Sequence, residues 1–103
     1  MTAKLYCQGD LMLRPVSKIK KGKKIPAVNG RLILALGEVT GHSHTIDAEV
    51  GELFLTEADE MFLSTVGAVL EHQEHGAITL PPGDYEVIRQ REYTPEAPRM
   101  VAD

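Results

Sequence analysis

"GAITLPPGDYEVIRQREY", residues 76–93, decides the fold. Pro81-Pro82-Gly83-Asp84 cannot continue a helix, because the two prolines lack a backbone N–H and fix φ, while Gly-Asp favours a tight reversal. The nine residues after it read as one long strand. Tyr85, Val87, Arg89, Arg91 and Tyr93 fall on one face of an extended chain, and Glu86, Ile88, Gln90 and Glu92 on the other. Neither face is cleanly apolar toward the C-terminal end. The expectation is a strand that projects from the body or pairs with a second copy, with Tyr85, Arg89, Arg91 and Tyr93 as assembly residues. Residues 94–103, with Pro95 and Pro98, read as an extended tail.

Working outward, short strands and turns account for the remaining chain. "LMLRPV", residues 11–16, follows a Gly9-Asp10 turn and reads as a strand in which Pro15 marks an edge or an end. Asn29-Gly30 is a hairpin signal. "RLILAL", residues 31–36, reads as a buried strand, although a short helix has the same apolar pattern, and Gly37 and Gly41 favour a bulge or bend. "ELFLT" and "EMFLSTV" read as two strands around the Glu57-Ala58-Asp59-Glu60 turn. "AVLEH", residues 68–72, continues as a strand. The fold class is therefore all-β. Residues 1–93 form a small single-domain β-barrel or sandwich with little or no helix, and residues 94–103 form the tail.

At 103 residues with a 43% hydrophobic fraction, the chain can form one core. It has no tryptophan and only three tyrosines and two phenylalanines, so that core rests on Leu, Ile, Val, Ala and Met. A core this lean gains from a bound metal or from self-association. Net charge is −4, which argues against nucleic-acid binding by the molecule as a whole. "KIKKGKK", residues 18–24, departs from that balance. Lys18, Lys20, Lys21, Lys23 and Lys24 sit in an exposed, self-repelling and mobile loop spanning 18–30, read either as a solvated connection or as an arm for nucleic acid or another anion. Cys7 is the single cysteine and reads as a buried strand residue. No segment resembles a signal peptide or a transmembrane span, so a cytoplasmic or virion-associated protein is expected.

All four histidines lie in two short clusters. His42 and His44 stand two apart in "TGHSHTID", which on a strand projects both rings to one side. His72 and His75 stand three apart in "LEHQEHG", with Glu71 and Glu74 beside them. If the clusters meet, His42, His44, His72 and His75, with Glu74 as an oxygen donor, form a set suited to zinc, nickel, iron(II) or copper. Histidines near glycines also serve simply as loop residues that bond backbone carbonyls. Ser43 has no acid or oxyanion hole in sequence, and no phosphate-binding loop is present.

"GEVTGHSHTIDAEVGEL" and "HGAITLPPGDYEV" together resemble a reduced cupin. The resemblance implies His42 and His44 as the paired ligands, Glu49 as the acid and His72 or His75 as the later ligand. Here both later histidines precede the Pro-Gly turn. "GDLMLRPV" and "QREYTPE" are also similar to small proteins of bacteria and their phages, a likeness that implies no activity. Two functions follow. The first is a small metal-binding β-protein, a binding or accessory module rather than an enzyme. Were it catalytic, it would be a metal-dependent, cupin-like enzyme with Glu71 or Glu74 as base. The second is a self-assembling ring, cage or fibre using strand 85–93 and the tail, with the histidines at a subunit contact. A homo-oligomer is the expected state in either case.

Overall fold

The alternation flanking Pro81-Pro82 places its strand at the centre of a sheet. The computed structural model describes residues 4–36 and 41–89. The strands in chain order are β1 (Tyr6–Gln8), β2 (Leu11–Val16), β3 (Lys23–Lys24), β4 (Arg31–Leu36), β5 (Ser43–Asp47), β6 (Gly51–Leu55), β7 (Met61–Thr65), β8 (Ala68–Leu70), β9 (Ile78–Leu80) and β10 (Gly83–Arg89). A single 3-10 turn at Ala48–Val50 separates β5 from β6. The protein is thus a small all-β domain, as its sequence predicts.

Six strands form one antiparallel sheet in the order β1-β2-β10-β7-β6-β3. Opposite it lie the hairpins β4-β5 and β8-β9. They are joined where Thr45 and Glu71 exchange both backbone hydrogen bonds, at 3.0 and 2.9 Å. The core fills the space between these layers. Leu11, Leu13, Leu53, Leu63, Tyr85 and Val87 enter from the first, and Leu32, Leu34, Ile46, Leu70 and Leu80 from the second. Leu11 and Leu13 alternate with outward residues, as do Tyr85 and Val87, whereas in β6 and β7 the paired Phe54 and Phe62 are buried as well, on the opposite face from Leu53 and Leu63.

The turns are set by local chemistry. Asn29 and Gly30 both adopt positive φ (54° and 78°), and Val28 and Arg31 close the loop with two backbone hydrogen bonds. That is the two-residue primed turn that matches strand twist. In the β6–β7 hairpin, Thr56 Oγ1 accepts from the amides of Ala58 and Glu60, which stabilises the turn the acidic run suggested. Tyr85 Oη donates to Pro81 O at 2.7 Å and so clamps the turn entering β10. The irregularity in β4 falls between Ile33 and Ala35, within the strand.

Three expectations are corrected. First, the 85–89 strand does not project. It pairs with β2 on one side and β7 on the other, Tyr85 is buried, and the Arg89 side chain reaches Asp10. Apolar demand from both neighbours outweighs its charged alternation. Arg91, Tyr93 and the 94–103 tail lie outside the described residues. Second, the lysine segment is not a free loop. Lys23 and Lys24 pair with Leu55 and Phe54 as an edge strand, and Ile25 N donates to Leu53 O. Gly22 makes this possible by passing directly over the backbone of Leu55 and Thr56, where a Cβ would stand 2.2 Å from Leu55 O. Third, Cys7 is exposed; in this three-residue strand it is Gln8 that turns inward.

Candidate functional site

The two histidine clusters meet. His44 sits on the inward face of β5 and is 1% exposed, so its imidazole is part of the core's end wall. His72 and His75 come from the turn after β8. The His44–His72 ring centroids are 4.4 Å apart, His72–His75 4.6 Å and His44–His75 6.3 Å. His42 stands at the flank and meets His72 edge-on at 5.5 Å. The chain reversal is explained by the Thr45–Glu71 bridge, which locks the start of β5 against the end of β8.

Two further residues, which the sequence reading missed, complete the site: Gln8 at the end of β1 and Asp10 in the turn that follows it. Gln8 is 3% exposed. Its amide nitrogen donates to Leu70 O (3.0 Å) and Gly76 O (2.9 Å), which fixes its orientation and leaves Oε1 as an acceptor. That oxygen lies 2.8 Å from His44 Nδ1. His44 therefore carries its proton on Nδ1, and Nε2 presents a lone pair. Facing that lone pair, at 3.6 Å, is Asp10 Oδ1. The other oxygen of Asp10, Oδ2, lies 3.5 Å from Arg89 Nε and Nη2. Gly9 admits the His75 ring. A Cβ there would stand 2.7 Å from His75 Nε2, and Gly9 also adopts φ +60°.

Each histidine thus has a distinct environment. Burial, and then the neighbouring His72, lower the pKa of His44, against the opposing pull of Asp10. Desolvation, and then His75 and His42, lower that of His72, against Glu74 and Asp10. Both shifts favour the neutral form, the form that ligates metals. His72 Nδ1 accepts from the amides of Glu74 (3.0 Å) and His75 (3.3 Å), capping its own turn. His42 Nδ1 is buried, has no hydrogen-bond partner among the described residues, and lies 3.9 Å from Glu74 Oε2.

The remaining predicted residues are elsewhere. Glu71 pairs with Arg31 at 2.8 Å on the outer face. Glu49 lies in the 3-10 turn, where its amide bonds Asp47 Oδ1, and it lines a separate hollow with Lys24 and Ser64. The acid beside His44 is Asp10, and the one beside His42 is Glu74. Among the lysines, Lys20 pairs with Glu60 and Lys24 with Glu52, both at 3.2 Å, and Lys21 lies over the ring of the buried Phe54. As they stand, no three His, Cys, Asp or Glu side chains among the described residues surround one point closely enough to hold a metal ion. No helix among them is long and apolar enough to cross a membrane.

The chain has no match among curated proteins or solved structures. A family model described as a domain of unknown function, DUF8820, matches residues 7–90, a span that runs from β1 through β10 and holds Gln8, Asp10 and all four histidines. The chain belongs to the DUF8820 family.

Proposed function

We propose that this domain binds one transition-metal ion per chain at the histidine cluster, as a binding or accessory module. One observation carries the reading: the His44 Nε2 lone pair faces the Asp10 carboxylate at 3.6 Å. Two acceptors at that spacing repel unless a cation lies between them. A proton on His44 would serve, and Asp10 favours it by charge and hydrogen bonding, but burial and the adjacent His72 and His75 oppose it more strongly. A metal ion serves better. Two ligands at about 2.0–2.1 Å from a tetrahedral ion stand roughly 3.3 Å apart, close to the spacing here.

Gln8 supports the same reading. A metal-ligating imidazole is usually held at its other nitrogen by a fixed acceptor, which sets the tautomer and the ring angle. Gln8 does this for His44 with both ends of its amide engaged. His75 and His72 lie within one ring's reach of His44, so a small rotation of side chains on the 72–75 turn brings a third donor to the ion. His75 as a residue is exposed, and its ring packs against Gly9. Zinc, iron(II), nickel and cobalt all accept this mixture of imidazole and carboxylate.

The test is metal titration of the untagged protein after chelator treatment, followed by calorimetry with zinc and visible spectroscopy with cobalt(II). One ion per chain is expected, with binding lost in His44→Ala and in Asp10→Asn. Asp10 is outside the core, so the second variant keeps the fold. Absence of binding in the unaltered protein, or undiminished binding in Asp10→Asn, overturns the reading.

A further inference from the structure

Val66 is the most exposed large apolar side chain among the described residues, at 75%. It stands in the two-residue turn between β7 and β8, a place where Gly, Asn, Asp or Ser is the ordinary choice. The turn is held firmly. Val66 N donates to Val50 O at 3.1 Å, and Thr65 Oγ1 donates to the same oxygen at 2.6 Å while accepting from Gly67 N at 3.1 Å. The fold gains almost no burial from this valine, yet its backbone is fixed so that the side chain stands in water.

The valine is not isolated. Beside it lies a hollow on the outer side of the second layer, lined by Val50, Ala68, Val69, Leu80, Pro81 and Pro82. Val69 is 45% exposed, and both prolines are exposed. Gly67 ties the knob to the hollow, since a Cβ on it would stand 3.8 Å from the Pro82 ring. A contiguous apolar patch on a small domain marks a contact surface, and prolines lose no side-chain freedom when covered. The rim carries both signs of charge. Arg31 engages Thr45 and Glu71 through Nε and Nη2, and its Nη1 lies outside these bonds. Glu49, next to Val50, is exposed, and the Lys24 that shares its hollow pairs with Glu52 instead.

A knob and a hollow side by side, with an acid on the knob's side and an arginine on the hollow's rim, are self-complementary about a two-fold axis. We propose that this patch is the contact between two copies of the chain, in which Val66 of each enters the hollow of the other and Glu49 of each meets Arg31 of the other. The strand whose sequence suggested assembly is occupied inside the sheet, paired on both sides with Tyr85 buried, so self-association passes to this surface. The contact needs no metal. A patch of roughly ten residues a side is smaller than the about 20–30 of a standard stable interface, so the dimer is weak and depends on concentration.

The experiment is sedimentation equilibrium of the untagged, full-length protein in excess chelator, which keeps the result independent of metal binding. A discrete dimer is expected, with a dissociation constant on the order of 10 µM. Val66→Asp should weaken it about thirtyfold or more, as loss of a central anchor does. Val66→Ser, which removes the knob without adding charge, should weaken it in the same direction. Leu36→Asp is the control, because Leu36 is 63% exposed at the far end of β4 from Arg31, and this variant should dimerise as the unaltered protein does. Urea midpoints matching wild type show that the Val66 variants are folded. An unaltered protein that stays monomeric up to about 1 mM overturns the inference and leaves the patch to a different protein. A mass that keeps growing past the dimer overturns it too, as does a dimer that both Val66 variants leave as tight as Leu36→Asp does.

Discussion

Gln8 is the residue on which the site turns, and two of its properties make it testable. It bridges three pieces of chain: Leu70 at the end of β8, Gly76 in the turn and His44 in β5. Replacing it with Leu keeps the volume but leaves two carbonyls and the His44 N–H without partners in a dry site. Each buried unpaired group costs about 1–3 kcal/mol. Urea denaturation of metal-free Gln8→Leu should show a loss of at least that size, and a zinc titration should show affinity reduced about 10–100-fold. Unchanged zinc affinity in a destabilised Gln8→Leu would limit Gln8 to a structural role. A second residue-scale prediction concerns Tyr85. Burial, and then the neighbouring Tyr6, raise its pKa above the ordinary 10.0. As the pH passes about 10, the unfolded chain releases this proton before the folded one does. The folded state then binds more protons, so stability is full below pH 10 and falls as pH rises beyond it. Tyr85→Phe should cost about 0.5–1.5 kcal/mol at pH 8 through the lost bond to Pro81 O. It should also flatten the decline between pH 10 and 11 in urea midpoints, and a decline as steep as wild type would assign the alkaline loss to other groups.

At the scale of elements, the strands were legible where a period was long enough to count. Leu11 and Leu13, or Leu32 and Leu34, announce an inward face, and Asn29-Gly30 and the acidic run at 57–60 announce reversals. β1 is too short for that logic. Three residues hold less than two periods, so Cys7 and Gln8 exchange faces at no cost to the pattern. Asp10 was legible only as turn chemistry, because its approach to His44 spans 34 positions of chain and depends on how β1 and β5 pack. The spacing of His42 and His44 was readable, but β5 begins at Ser43 and leaves His42 just outside the strand, and the meeting of both rings with His72 was not readable. The lysine run shows the limit from the other side. Repulsion among lysines argued for a loop, yet pairing with β6 and ion pairs to Glu52 and Glu60 hold it to the sheet edge. Gly22 is the sensitive point. In Gly22→Ala the methyl meets backbone, not a side chain that can turn aside, so the segment must lift off β6. The expected cost is about 1–3 kcal/mol, the usual range for overpacking. Faster exchange of the Ile25 amide, which bonds Leu53 O, should accompany it. An unshifted urea midpoint would mean that the edge strand contributes nothing to stability.

The whole molecule is two layers held by aliphatic packing along most of their length and by polar contacts at one end. At that end Gln8, Asp10 and the histidines replace the leucines that close the rest of the core. Such an end is weak without a partner, since neutral imidazoles and a carboxylate give little apolar burial. Exposed ion pairs do not compensate. Lys20–Glu60 and Lys24–Glu52 have side chains from about one-third to two-thirds exposed, and pairs of this kind contribute about 0–1 kcal/mol each. A bound ion acts on a different scale. Free metal at a hundred times its dissociation constant stabilises the folded state by about 2.7 kcal/mol, and each further tenfold adds about 1.4. For a domain of this size that corresponds to a rise in Tm of roughly 10–20 °C. Calorimetric scans in saturating zinc, in excess chelator and in 1 M sodium chloride therefore separate the two sources of stability. Zinc should raise Tm by that amount in the unaltered protein and by almost nothing in Asp10→Asn, while salt should move both by a degree or two. A Tm that ignores zinc and responds to salt would place the stability of this end in surface charge and leave the histidines as wall residues.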